Sequence, residues 1–164
     1  MTTFTLLLTV ATLCCALVAG ITLIFSIVIM PGLQTLGDRR FLEGFQAIDR
    51  IIQDNQPIFI LVWLGSALAL LAATGLGLPI LEGIDQAMLL AALLIYVLGV
   101  QITTAVVNVP LNNRLQRQNL AQLDDDEINR TVKEFVPRWT LWNHIRTGLA
   151  ILTSILLLLV LLRF

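Results

Sequence analysis

Four long apolar stretches constrain this chain more than any other feature, and three of them contain no charged residue. About 20 apolar residues are enough to cross the hydrocarbon core of a bilayer. The uncharged runs are residues 1–37, 55–81 and 86–113, and the fourth stretch, 139–162, is broken only by His144 and Arg146. The sequence therefore predicts four membrane spans, at about 4–30, 58–80, 87–109 and 139–162.

The composition leaves no room for a separate soluble domain. Of the 164 residues, 57% are hydrophobic and 13% are charged, against about 45–50% and about 25% in an ordinary soluble domain. We therefore expect residues 1–164 to form a single membrane domain. The formal net charge is −1, so there is no basic excess to attract nucleic acid.

Both long connectors have the periodicity of amphipathic helices. Phe41, Phe45, Ile48 and Ile52 fall on one helical face, which predicts an interfacial helix at about 38–55. A second such helix is predicted at about 124–137. Its apolar face holds Ile128, Val132, Phe135 and Val136, and the acids Asp124, Asp125 and Asp126 suit its N-terminus. The expected fold is all-α, an integral membrane four-helix bundle with two amphipathic cytoplasmic connector helices.

The distribution of Lys and Arg predicts the orientation in the membrane. With four spans, both termini lie on one side and both long connectors on the other. The terminal side has only Arg163, whereas the connectors carry Arg39, Arg40, Arg50, Arg114, Arg117, Arg130, Lys133 and Arg138. The positive-inside rule then places the long connectors in the cytoplasm and the N- and C-termini outside.

Several polar residues are expected at one depth inside the bundle. Helix from Arg146 to Leu162 is about 24 Å long at about 1.5 Å per residue, which leaves Arg146 several ångströms below the cytoplasmic boundary of a core of about 30 Å. Asn108 reaches the same level on the third span. Gln101 shares the face of Asn108, and Trp139 and Asn143 share the face of Arg146. We expect these two faces to form the walls of a polar pocket.

Each of these residues also has a simpler interpretation. Arg146 could extend its side chain to lipid headgroups, and Asn108 could make a hydrogen bond between two helices. His144 points about 160° away from Arg146 around the helix, at about 100° per residue, and could be an interfacial histidine. Cys14 and Cys15 lie within the first span, and no other cysteine is present to build a metal site.

An ordered set of short segments resembles the anthrone-oxygenase-like family of small four-span membrane proteins. The segments are Phe25-Ser26, Met30-Pro31-Gly32-Leu33, Phe45-Gln46-Ala47-Ile48, Asn108-Val109-Pro110-Leu111-Asn112 and Trp139 with Trp142-Asn143-His144-Ile145-Arg146-Thr147. They cover nearly the whole chain in order, and the last two are the most specific. Some members of this family oxidise anthrones to anthraquinones with molecular oxygen, and most have no assigned activity.

The resemblance implies a catalytic role for some of these residues. A base would remove a proton from the substrate, and the resulting anion would pass an electron to oxygen. Arg146 and Asn108 would stabilise the anion, and His144 or Asp49 would be the base. Trp139 and Trp142 would be aromatic walls, with Gln101 and Asn143 also binding the substrate. The expected partners are the lipid bilayer and a small hydrophobic aromatic ligand, and a homo-oligomer stays open.

Two alternatives accompany this interpretation. The first is a protein without enzymatic activity, namely a binding protein, a transport accessory or an assembly subunit. The second concerns the cofactor, which is unknown because no motif requires one. Haem is the weaker option, since the chain has one histidine and a second ligand would have to be Met, Tyr or a residue of another subunit.

The orientation can be tested by cysteine labelling from each side of the membrane. Residues 82–85 form the short loop that we expect outside, so an introduced Glu82→Cys should react with an impermeant thiol reagent added outside. Reaction only with reagent supplied from the cytoplasm would contradict the predicted orientation.

Overall fold

The computed structural model describes residues 2–164, and all of its regular elements are helices. Four of the five long helices are long and apolar enough to cross a membrane, as the sequence predicts for a multi-pass, all-α membrane protein. A short 3-10 turn, Leu120–Gln122, lies in the second connector. The helices are α1 (Thr3–Gln34), α2 (Asp38–Gln53), α3 (Pro57–Gly77), α4 (Gly83–Gln116) and α5 (Asp125–Arg163).

The bundle core lies along α1 and α5. α1 packs on both α3 and α5, and α4 packs on α5. At one end, which we call the terminal end, the rings of Phe4 and Phe164 lie 5.0 Å apart and Arg163 pairs with Asp85 of the short loop. The opposite end, the connector end, carries α2 and the segment between α4 and α5. Both termini therefore lie at one end of the bundle, as an even number of spans requires.

α2 covers the connector end, close to the predicted interfacial helix at 38–55. Its buried face consists of Phe41, Leu42, Phe45 and Asp49, so the predicted apolar stripe also holds a carboxylate. Gly37 precedes it with a φ of +81°, a conformation that glycine adopts without strain. The helix packs on α4 and α5 and thus closes one side of the site described below.

α5 differs from the sequence expectation, because residues 124–137 are continuous with the fourth span rather than a separate helix. Asp124 and Glu127 form a capping box at its start, and Pro137 is accommodated within the helix. Residue 133, four positions before the proline, is exposed, so water can solvate the carbonyl that Pro137 leaves unpaired. The same buried face runs through Ile128, Phe135 and Trp139, and this packing keeps the helix whole.

Two other prolines widen helices instead of ending them. The predicted spans stop at residues 30 and 109, but α1 and α4 continue past Pro31 and Pro110. π-helical turns precede both prolines, at Phe25–Ile29 in α1 and at Ile95–Ile102 and Thr104–Asn108 in α4. A proline ring displaces the carbonyl four residues earlier, and a π turn accommodates that displacement.

Candidate functional site

A cavity of about 220 Å³ lies at the connector end and takes side chains from all five long helices. A larger groove of about 580 Å³ lies outside it between α4 and α5, but the arginines there are exposed to solvent. We place the candidate site in the smaller cavity because it holds buried polar groups. Its lining consists of Ile21, Thr22, Phe25, Phe45, Asp49, Ile52, Phe59, Trp63, Thr104, Asn108, Val109, Asn112, Trp139 and Arg146.

Arg146 is a buried cation at this cavity, with only 7% of its surface exposed. Its Nε and Nη2 donate to Asn143 Oδ1 at 3.1 and 2.8 Å, and Nη1 donates to Thr104 Oγ1 at 3.1 Å. The guanidinium carbon lies 5.5 Å from the centre of the Trp139 ring. Within residues 2–164 no carboxylate forms a salt bridge with it. A guanidinium has five N–H groups, so two stay available to a ligand.

Asn143 positions Arg146 and does not line the cavity. It is fully buried, and while its Oδ1 accepts from Arg146, its Nδ2 donates to the Thr22 carbonyl at 2.9 Å and to Ser26 Oγ at 2.7 Å. The first π turn of α1 contains Ser26. Asn143 therefore connects α1 to the guanidinium, and its expected role as a pocket wall is replaced by a supporting one.

A chain of hydrogen bonds connects Asp49 to Trp139. Trp139 Nε1 donates to Asn112 Oδ1 at 2.8 Å, and Asn112 Nδ2 donates to Asp49 Oδ1 at 2.7 Å. Gln116 and Gln53 donate to Oδ2 at 2.9 and 2.6 Å. Burial raises the pKa of the Asp49 carboxyl above its ordinary value, although these hydrogen bonds oppose the rise.

Asn108 has an unsatisfied acceptor in the cavity wall. The residue is 1% exposed, and its Nδ2 lies 3.5 Å from the Trp139 carbonyl, at the limit of hydrogen bonding. Its Oδ1 is buried and has no donor within residues 2–164. An unpaired buried acceptor costs about 1–3 kcal/mol, so a hydroxyl of a bound ligand would be stabilising here.

Aromatic rings form much of the remaining wall. Trp139 is 2% exposed and packs against Phe45 at 5.3 Å in a T-shaped arrangement and against Phe25 at 5.7 Å. Phe59 and Trp63 stack at 5.5 Å with an interplanar angle of 13°. Flat apolar faces with a few polar groups are typical of sites for small aromatic molecules.

Besides Asn143, three of the predicted site residues lie outside the cavity lining. His144 is exposed on the outer surface of α5, as its helical angle relative to Arg146 requires, and we leave it out of the site. Trp142 is half-buried and is not part of the wall. Gln101 donates to the Trp63 carbonyl at 3.2 Å, so it connects α3 to α4 on the side of the cavity that faces the terminal end. Arg146, Asn108, Asp49 and Trp139 do come together.

Several lining residues had no role predicted from the sequence. Asn112 lies one helical turn after Asn108, so its position on the same face was a usable signal. Phe45 belongs to the predicted apolar stripe of α2. Phe59 and Trp63 gave no signal, because an aromatic residue in an apolar span is usually indistinguishable from lipid-facing or packing residues.

The polar groups at the site include amides, hydroxyls, one carboxylate and one guanidinium. Across residues 2–164 no cluster of three or more His, Cys, Asp or Glu side chains could hold a metal ion. Asp49 is the one carboxylate among the lining residues.

We predict that Asn143→Leu destabilises the bundle. The leucine has a similar volume but leaves two N–H groups of Arg146 without their acceptor, which should cost about 2–5 kcal/mol. Thermal unfolding in detergent would measure the loss. Asn113→Leu is the matched control, because the Asn113 side chain is half-exposed and should change stability by less than about 0.5 kcal/mol. Equal stability of the two variants would show that the Asn143 bonds contribute nothing.

Comparison with known proteins supports one family. The profile of the anthrone oxygenase family matches residues 49–156, about two thirds of the chain. The matched part includes Asp49, Asn108, Trp139 and Arg146, whereas Phe25 and Phe45 precede it. No curated protein and no solved structure matches the chain. On the extent of this match, and with four membrane-length helices, the chain belongs to the anthrone oxygenase family.

Proposed function

We propose that the protein binds a flat hydrophobic phenol, anthrone or quinol from the bilayer and oxidises it with molecular oxygen. The observation that carries this proposal is Arg146, a buried cation without a carboxylate partner, in the wall of an aromatic cavity. A buried charge is costly unless it is paired. An oxyanion of a bound ligand would be the missing partner, and the family match supports an oxygenase-like role.

The chemistry needs a base and a site for the resulting anion. With an anthrone, Asp49 takes a proton from the ring methylene, and the negative charge moves onto the carbonyl oxygen. The anion then reduces oxygen, one oxygen atom becomes the new carbonyl, and the other leaves as water with the two methylene hydrogens. With a quinol, two electrons and two protons go to oxygen, which gives a quinone and hydrogen peroxide.

Each lining residue has a defined part in this proposal. The two free N–H groups of Arg146 hold the ligand oxyanion, which is most stabilising where its charge develops. Asn108 Oδ1 accepts a hydrogen bond from a ligand hydroxyl. Trp139 and Phe45 pack against the ring faces and keep water out. Asp49 has three hydrogen-bond donors around it, which leaves room on a carboxylate for one more.

The second candidate is a protein that binds such a ligand without converting it. A binding protein without enzymatic activity would use the same cavity, and a transport accessory or assembly subunit would use the same aromatic walls. Oxygen consumption separates the two functions, because ligand binding alone consumes none. In either case we propose that the connector end faces the cytoplasm, on the basis of its Lys and Arg excess.

Arg146→Gln tests the central residue. The glutamine keeps some hydrogen bonding but removes the charge, so oxygen uptake with an anthrone or hydroquinone should fall by at least about 100-fold while the protein stays folded in detergent. Arg138→Gln is the matched control, since Arg138 lies exposed on the same helix and its loss should leave uptake unchanged. Full uptake by Arg146→Gln would refute the role of the guanidinium, and no uptake or binding by the wild type across anthrones, quinols and phenols would refute the function.

The pH profile of oxygen uptake tests Asp49. A base acts as its carboxylate, so turnover should rise with pH through a pKa above the ordinary value of 3.8 and then level off. Asp49→Asn should lose turnover together with this acid limb. Asp54→Asn changes an exposed carboxylate beyond the end of the same helix and should keep both. An unchanged acid limb in Asp49→Asn would assign the base to another group.

A further inference from the structure

We propose that the cavity exchanges its ligand with the bilayer through a lateral window between α3 and α4, with Phe59 and Val109 as its two sides. This inference rests on the proposed function, because it concerns how the same aromatic ligand reaches Arg146. It assigns new roles to four residues that do not touch the reacting atoms: Phe59, Trp63, Gln101 and Val109.

The window arises from the way α3 and α4 diverge. The two helices are antiparallel and are joined at the terminal end by residues 78–82. Their backbones pack close to that turn, mainly along Gly83–Leu94 of α4, and less toward the connector end. The π turns of Ile95–Ile102 and Thr104–Asn108 lie in the part of α4 that packs less closely on α3.

Two hydrogen bonds mark the limits of the window, one toward the terminal end and one toward the connector end. On the terminal side, Gln101 Nε2 donates to the Trp63 carbonyl at 3.2 Å and connects α4 to α3. On the connector side, Asn112 Nδ2 donates to Asp49 at 2.7 Å and connects α4 to α2. Asn112 lies eleven positions after Gln101 on α4, which is about 16 Å of helix. That length is sufficient for a fused-ring aromatic molecule to pass.

Val109 shows that the cavity reaches the outer surface at this place. Its side chain lines the cavity and yet it is 42% exposed, so it faces the interior and the surroundings of the bundle at once. On α3, Phe59 also lines the cavity while remaining half-buried. Its ring stacks on Trp63, which gives the α3 side of the window a flat aromatic face.

The surface around the window is apolar. Ile58 and Leu61 on α3 are 67% and 71% exposed, and Ile102 and Val106 on α4 are 45% and 63% exposed. Side chains of this kind face hydrocarbon rather than water in a membrane protein. The opening therefore faces the phase in which a hydrophobic phenol or quinone is most concentrated.

The route from the connector end is more obstructed. Asp49 with Asn112, Gln116 and Gln53 forms a hydrogen-bonded cluster between α2 and α4. Trp139 donates to Asn112 of this cluster and packs against Phe45. A ligand that arrived from water would have to break these bonds, whereas passage through the window would require only that Phe59 and Val109 change rotamer.

The test measures how fast a ligand enters and leaves. The wild-type protein in lipid nanodiscs would be mixed with a hydroxyl-bearing anthraquinone, which is not a substrate because it is already oxidised, and quenching of tryptophan fluorescence would be followed by stopped flow. Val109→Trp should fill the window and slow both association and dissociation by at least about tenfold, with a much smaller change in Kd. Val28→Trp adds the same ring to an exposed position of α1, away from the window, and should leave both rates unchanged.

A second variant covers the case in which Val109→Trp does not fold. Phe59→Ala should widen the window and raise the association rate, and the dissociation rate should rise at least as much because Phe59 also lines the cavity. Wild-type rates in the two window variants would overturn the window while leaving the proposed function intact, since the ligand would still bind. A loss of affinity without slower exchange would mean that Val109 belongs only to the binding wall. Failure of the wild type to bind the anthraquinone would overturn the binding site and the window together.

Discussion

The structure depends on keeping one guanidinium buried without a carboxylate beside it. Arg146 is stabilised by Asn143, by Thr104 and by the face of Trp139, which together replace part of its hydration. Dipoles and an aromatic ring do not neutralise a charge, so the site keeps a positive potential in a region of low dielectric constant. An anionic ligand gains more there than it would in water. Asn143 in turn is held by α1, so the geometry of the cation requires the whole bundle.

The π turns that precede two prolines contribute residues to the cavity wall. Tightly packed membrane helices usually leave no cavity, because small residues allow close approach. Pro31 and Pro110 are both preceded by π turns, and those turns carry Phe25 and Asn108 at the cavity. A π turn changes the direction of its side chains relative to an ordinary helix, and both Phe25 and Asn108 line the cavity.

The sequence predicted the architecture well and the site in part. Uncharged length and amphipathic periodicity are local properties, and they were enough for the four spans and for α2. Helical angles brought Asn108 and Arg146 together and separated His144. Helical angles did not predict the positions of Gln101 and Asn143 relative to the cavity. For Gln101 the π turns in α4 alter the angles, and for Asn143 the amide faces a neighbouring helix instead of the cavity. Asp49 was named only through the family resemblance, and its hydrogen bonds to Asn112 and Gln116 of α4 needed the tertiary fold.

The continuity of α5 has a consequence for insertions and deletions. One helix carries the capping box at Asp124, the aromatic ring of Trp139 and the guanidinium of Arg146. Adding or removing one residue between Asp124 and Trp139 would rotate one part against the other by about 100° and would turn Ile128 and Phe135 away from α2. A change of length in the segment 117–119, which precedes the 3-10 turn, would leave the two parts of α5 in the same relative orientation. Variation in length among related chains should therefore be confined to the loop before α5.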